Sequence, residues 1–151
     1  MKMRIVFIAI ASLAFACSDG GSKVEDTAVN ETKVQEDSLY TAVMDGHDVG
    51  MAKMGKLKRS MTQVQAKLDS LAKLSSAKID TVYRNSLLSV QKELADAEGH
   101  MNHWMDNFKL DSAKDNPEVR IKYLEGEKAT VTVVRDKILN SLQLADSILS
   151  K

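Results

Sequence analysis

Methionine and histidine side chains gather in two stretches of this 151-residue chain, and they are the residues whose types could do chemistry. The first stretch carries, at helical spacings, Met44, His47, Met51 and Met54. The second carries His100, Met101, Trp104 and Met105. Side chains three or four residues apart share one face of a helix, so each stretch can present its sulfur and imidazole groups in one direction. Thioether sulfur and imidazole nitrogen are ligands that suit soft metals such as Cu(I).

Two antiparallel helices joined by a short loop would bring both stretches to the same end of a bundle. This arrangement predicts a soft-metal site for Cu(I). Its candidate ligands are His47, Met51, Met54, Met101 and Met105, and its surface contributors are Met44, His100 and Trp104. Two other interpretations stay open. The methionines can instead fill irregular gaps in a helical core, or the Met-rich end can bind a small apolar or peptide ligand.

The only cysteine, Cys17, follows a stretch typical of an export signal. Lys2 and Arg4 come before an apolar run at 5–16, which is shorter than the roughly 20 residues that a membrane-spanning helix needs. Residues 13–17 read Leu-Ala-Phe-Ala-Cys, and they resemble the lipobox of bacterial lipoproteins.

The lipobox resemblance implies that residues 1–16 are a lipoprotein signal peptide, cut off before Cys17. The Cys17 thiol would carry a diacylglycerol and the new amine an acyl chain, which together anchor a protein firmly in a lipid bilayer. We therefore expect a protein of the bacterial cell envelope that is anchored in the outer membrane. The sequence does not decide whether it lies on the periplasmic or the surface side of that membrane. An ordinary signal peptide cut after Ala16 is the alternative.

Composition and motifs exclude several other classes. The chain has 21 basic and 21 acidic residues, so it offers no basic field for a nucleic-acid partner. One cysteine excludes a disulfide scaffold and a multi-thiolate zinc site. The sequence has no glycine-rich phosphate loop, no His-Glu-x-x-His and no Gly-x-Ser-x-Gly motif. We expect a non-enzymatic interaction or structural module without a cofactor, and an envelope protein or a second copy of the chain as its partner. The alternative is a lipoprotein that binds or handles Cu(I) through the Met, His and Trp side chains named above.

Apolar residues recur at spacings of three and four along most of the chain, a pattern typical of helices that pack against each other. It predicts an all-α, coiled-coil-like antiparallel three-helix bundle at 38–151. The expected helices are about 38–74, 79–110 and 117–150. Residues 17–37 are rich in Ser, Gly, Thr and acids, so we expect them to form a flexible acidic tether.

Capping residues support these boundaries. Ser38 is expected to begin the first helix and Asp80 or Ser76 the second. Pro117 suits the first turn of the third helix, with Asp115 or Asn116 as its cap.

The chemically distinctive residues also resemble a group of small lipoproteins of Bacteroidota that automated pipelines often label viral A-type inclusion proteins. The matching residues are Met44, His47, Asp48, Met51, Met54, Met101, Trp104, Met105 and Phe108. The resemblance spans the signal and all three predicted helices, and it implies a helical envelope lipoprotein of no established activity. Gly50 and Ala52 depart from its pattern, which often has a proline in this stretch.

Overall fold

A computed structural model describes residues 22–75, 78 and 80–150 of the chain, with residues 22–29 described by their backbone. Its three helices are α1 (Ser22–Ala72), α2 (Thr81–Asn107) and α3 (Pro117–Leu149). They pack against one another, which confirms the predicted all-α three-helix bundle. None of these three helices is long and apolar enough to cross a membrane. The predicted signal peptide at 1–16 and Cys17 lie outside the described residues.

Contacts between side chains fix the directions of the helices. Short loops make each helix antiparallel to the next, so α1 and α3 run parallel. Two ion pairs show this arrangement. Glu36 of α1 contacts Arg120 near the start of α3 at 3.2 Å, and Lys56 contacts Asp146 near the end of α3 at 2.6 Å. The start of α3 and the end of α2 therefore lie at the same end of the bundle.

A seam of apolar side chains, one from every third or fourth residue, fills the space between the helices. Its largest fully buried members are Val43, Leu57, Val64, Leu87, Leu94, Met101, Leu124, Val131 and Ile138. Each buried leucine stabilises the fold by roughly 1.5–3 kcal/mol relative to an exposed one. The seam therefore sets the register in which α1, α2 and α3 face each other.

Side-chain caps begin α2 and α3 at the predicted places. Asp80 accepts hydrogen bonds from two backbone N–H groups in the first turn of α2, both at 3.0 Å. Asn116 accepts one from the first turn of α3 at 3.2 Å, and Pro117 follows it, where its missing N–H costs no helical hydrogen bond. Of the alternatives predicted for these two caps, Asp80 and Asn116 are the ones that form.

α1 begins at Ser22, not at residue 38 as the composition predicts. The tether expected at 17–37 is therefore helical from residue 22 onward, and Ser38 lies within the helix. This stretch includes a contact that its composition could not indicate, because the partner lies far away in the sequence: the Glu36 carboxylate accepts a hydrogen bond from Arg120 Nε of α3. The other predicted helix ends lie within three residues of the observed ones.

Arg120 is buried, with 3% of its surface exposed, and three groups surround its guanidinium. The Glu36 carboxylate accepts a hydrogen bond at 3.2 Å, and the backbone carbonyl of Ser112 accepts another at 3.0 Å. The Tyr123 ring lies 6.0 Å from Cζ, within the range of a cation–π contact. A buried charge without such partners would cost several kcal/mol. Arg120 thus ties α1, the α2–α3 loop and α3 together.

Two glycines of α1 lie where other helices approach it closely. A Cβ atom on Gly46 would lie 3.0 Å from Val131 Cγ1 of α3. A Cβ atom on Gly50 would lie 2.5 Å from Met101 Cε of α2 and 3.3 Å from Ile138 Cδ1 of α3. A side chain at either position would push against a packed neighbour, so these glycines allow the tight packing of α1.

We predict that Glu36→Ala lowers the free energy of unfolding by about 1–3 kcal/mol, because it leaves the buried Arg120 guanidinium without its anion. We expect the loss to fall in the lower part of that range, because Glu36 is partly exposed and water screens its charge. Urea denaturation followed by circular dichroism measures the change. Asp37→Ala removes the same charge from the next, exposed position and should change the free energy by less than about 0.5 kcal/mol. Equal losses in the two variants would contradict the assigned role of the ion pair.

Candidate functional site

Four rings lie in contact one after another at the end of the bundle where α2 ends, the first pair tilted and the next two pairs stacked. His47 of α1 lies 5.5 Å from Trp104, measured between ring centroids. Trp104 lies 4.9 Å from Phe108, and Phe108 lies 6.2 Å from Tyr123 of α3. Ring pairs at such separations contribute about 0.5–1.5 kcal/mol beyond the area that they bury. We call these four residues the aromatic stack, and it connects all three helices.

Hydrogen bonds fix two members of the aromatic stack. Trp104 is 5% exposed, and its Nε1–H donates to Glu127 Oε2 at 2.8 Å. The Tyr123 hydroxyl oxygen accepts from the backbone N–H of Lys109 at 2.7 Å. Burial raises the pKa of the Tyr123 phenol above its ordinary value, and the hydrogen bond from Lys109 acts in the opposite direction. These bonds hold the indole and the phenol against α3 and the α2–α3 loop.

One side of the aromatic stack opens into a shallow hollow of about 230 Å³. The residues that line it are Tyr40, Met44, His47, Trp104, Met105, Phe108 and Leu110. Its wall is mostly carbon and sulfur, with the imidazole of His47 as a nitrogen donor. The volume lies below the roughly 300–1,000 Å³ of pockets for drug-sized ligands, so the hollow suits an ion, a small molecule or a single side chain.

The imidazole of His47 is held in one tautomer. Its Nδ1 lies 2.8 Å from Asp48 Oδ1. An ionised carboxylate can only accept a hydrogen bond, so Nδ1 is the donor in this pair, and the neutral imidazole then has its lone pair on Nε2. A carboxylate bound to one imidazole nitrogen is the usual support for a histidine that binds metal through the other. His47 is 18% exposed, which leaves it partly accessible from the hollow.

The methionines predicted as ligands divide into two groups. Met54 and Met101 lie in the hydrophobic core, 8% and 0% exposed. Met51 and Met105 are 38% and 37% exposed, and Met105 lines the hollow. Met44, predicted as a surface contributor, lines the hollow as well. The structure therefore brings Met44, Met105, His47 and Trp104 together and places Met54 and Met101 among the packing residues.

His100, the remaining predicted contributor, lies away from the hollow. It is exposed, and its Nδ1–H donates to the backbone carbonyl of Asp96 at 2.6 Å. Together with Gly99 and His103 it lines a separate depression on α2. The structure does not join His100 to the residues around the aromatic stack.

Four residues of the site were not predicted from the sequence, namely Tyr40, Leu110, Tyr123 and Glu127. Tyr40 precedes Val43 by three residues within the helix predicted from residue 38, so the helical spacing could have placed it next to the seam. Leu110 lies in the α2–α3 loop, where no helical periodicity applies. Glu127 is one of many acids on a polar helix face, and nothing in the sequence marks it as the partner of Trp104.

No protein-family model, curated protein or solved structure matches this chain. What the hollow can bind therefore has to follow from its own side chains. Thioethers, an imidazole nitrogen and aromatic faces suit soft cations and apolar groups, whereas hard cations prefer carboxylate oxygens. In the described part of the chain, no three His, Cys, Asp or Glu side chains are placed to hold a metal ion.

We predict that Glu127→Ala lowers the free energy of unfolding by about 1–2 kcal/mol, because the indole N–H of Trp104 loses its acceptor. Trp104 is the only tryptophan, so its emission should shift to the red as water reaches the ring. Glu127→Gln keeps an acceptor oxygen and should retain most of the stability and the emission maximum. The exposed Glu125→Ala serves as a charge-matched control. An unshifted emission maximum in Glu127→Ala would contradict the assignment.

Proposed function

We propose that this chain is a membrane-anchored lipoprotein of a bacterial envelope, and that its bundle is a non-enzymatic interaction module. The observation that carries the proposal is the apolar run that ends at Cys17, with four residues between Cys17 and the first residue of α1. The resemblance to small helical lipoproteins of Bacteroidota supports the same proposal.

The length of α1 supports an anchored module. α1 has 51 residues and is about 76 Å long at 1.5 Å per residue. Its residues 32, 33, 36 and 37 lie beside the first turn of α3, and the backbone of α1 is helical from there back to Ser22. On the proposed anchor, this segment would hold the bundle at a distance from the lipid surface, with His47 about 38 Å along α1 from Ser22.

Exposed apolar side chains support an interaction role for the end of the bundle with the hollow. Leu110 is 51% exposed at the edge of the hollow, close to the partly exposed Met105. Methionine is flexible and polarisable, so such a surface adapts to the shape of a partner. We propose that an envelope protein or a second copy of this chain binds here.

The anchor is tested by Cys17→Ala. The native protein should sediment with membranes and carry a mature N-terminal cysteine whose mass includes the diacylglycerol and acyl groups. Cys17→Ala should leave the membrane fraction, because no acylated residue remains. Ser18→Ala, at the next position, should stay membrane-bound. A mature chain with an unmodified Cys17 thiol would show that an ordinary signal peptidase cuts after Ala16, and the lipoprotein proposal would fail.

The interaction surface is tested by a photo-crosslinking amino acid placed at Leu110 in living cells. We expect one discrete adduct from this position. A gain equal to the mass of the mature chain itself would identify a second copy, and any other fixed gain would identify a different protein. Val82 is 76% exposed at the opposite end of the bundle and serves as the matched control position. Equal crosslinking from both positions, or none from Leu110, would contradict the proposed surface.

A further inference from the structure

The outer edge of the α1/α2 seam carries a ladder of side-chain pairs. Gln91 Nε2 donates to Gln65 Oε1, and Lys58 Nζ lies 3.5 Å from Glu98 Oε1. The second pair lies seven residues from the first on each helix, in opposite directions along the chain. This is the heptad spacing of antiparallel helices, in which a residue at the edge of one helix contacts a residue at the edge of the other once in every seven residues.

The next step of seven residues along this ladder leads to Met51 on α1 and Met105 on α2. The register of the two helices therefore places two thioether side chains opposite each other, whereas the two pairs described above are polar and charged. Both are accessible, at 38% and 37% exposure, in contrast to Met54 and Met101 in the core. Met105 is one of the residues that line the hollow, and Met51 is its partner by register, next to that lining rather than within it.

His47 and Met44 add two more soft donors beside this pair. His47 precedes Met51 by one helical turn, and Met44 precedes Met51 by seven residues on the same edge of α1. Both line the hollow together with Met105. Because the Asp48 carboxylate holds Nδ1–H of His47, the lone pair of Nε2 is the one available to a ligand.

We propose that Met51, Met105 and His47 Nε2 bind one Cu(I) ion, with Met44 as an additional thioether ligand. Two or three uncharged sulfur atoms and one imidazole nitrogen match the preference of Cu(I) for soft ligands and offer little to Mg²⁺ or Ca²⁺. The Trp104 ring, 5.5 Å from the imidazole, covers one side of His47. Met54 and Met101 are not ligands, because they pack in the core. The Cu(I) site lies on the same surface as the proposed partner-binding surface, and it does not depend on lipidation of Cys17.

The site is tested on the purified full-length chain carrying Cys17→Ser, which removes its one thiol and makes the result independent of the anchor. Under anaerobic conditions, Cu(I) is titrated in competition with a chromogenic Cu(I) chelator. We expect one Cu(I) per chain and quenching of Trp104 emission. Met51→Leu, Met105→Leu and His47→Gln should each weaken Cu(I) binding tenfold or more while the circular dichroism of the bundle stays unchanged.

Matched methionine variants separate ligands from packing residues. Met61→Leu changes a half-buried methionine of α1 outside the hollow, and Met54→Leu changes one in the core. Leucine has nearly the volume of methionine, so both variants should fold and keep the Cu(I) affinity of the parent chain. A weaker Cu(I) affinity in Met54→Leu, with Met51→Leu and Met105→Leu unaffected, would overturn the proposal.

A second measurement reads the ligands directly. Ag(I) is a redox-inert probe of the same softness, and ¹³C-labelled methionine methyl groups report on each sulfur by NMR. Addition of Ag(I) should shift the Cε signals of Met51 and Met105, with a smaller shift for Met44. The signals of Met54 and Met61 should stay in place. An absence of shifts at Met51 and Met105, or a failure of the chain to compete with the chelator, would overturn the proposal.

Discussion

A buried positive charge governs the end of the bundle at which α3 begins. The Arg120 guanidinium cannot stay in this environment without an anion, and Glu36 of α1 supplies one. The ion pair joins α1 to α3 just ahead of the predicted start of α1, and the same guanidinium holds the α2–α3 loop through the carbonyl of Ser112. It also places the guanidinium against Tyr123, which is the last ring of the aromatic stack. Ring contacts from Tyr123 to Phe108 and from Phe108 to Trp104 thus connect this ion pair to the residues that line the hollow.

Most of the architecture could be predicted from the sequence because it rests on local signals. The apolar spacing predicts three helices, and Asp80 and Asn116 act through hydrogen bonds within their own first turns. The start of α1 could not be predicted in this way. Residues 22–37 have the composition of a tether, and the partner that supports the helix there lies 84 positions away from Glu36. A pairing of that separation leaves no trace in local composition or periodicity.

The sequence predicts which two stretches of the chain contribute to the candidate site. It does not predict which of their methionines are buried in the core and which are exposed at its edge. Met51 and Met54 lie about 60° apart around α1, since three residues turn a helix through about 300°. The apolar stripe of a packed helix is itself about 100° wide, so both methionines fall within it in the sequence. Only the packing of α2 and α3 shows that this small angle separates an exposed edge from the interior. The same distinction decides which sulfur atoms an ion in solution can reach.

The unbroken course of α1 from Ser22 into the bundle has a consequence for orientation. A continuous helix transmits rotation, so the backbone of Ser22 has a fixed angular position about the helix axis relative to the edge that carries Met44 and Met51. Each residue gained or lost between Ser22 and Glu36 would swing that edge by about 100° and shift it by about 1.5 Å. The number of residues in this segment thus sets the angle between Ser22 and the hollow about the helix axis. A change of seven residues would nearly restore that angle, whereas a change of two would turn the hollow to the opposite side of the helix.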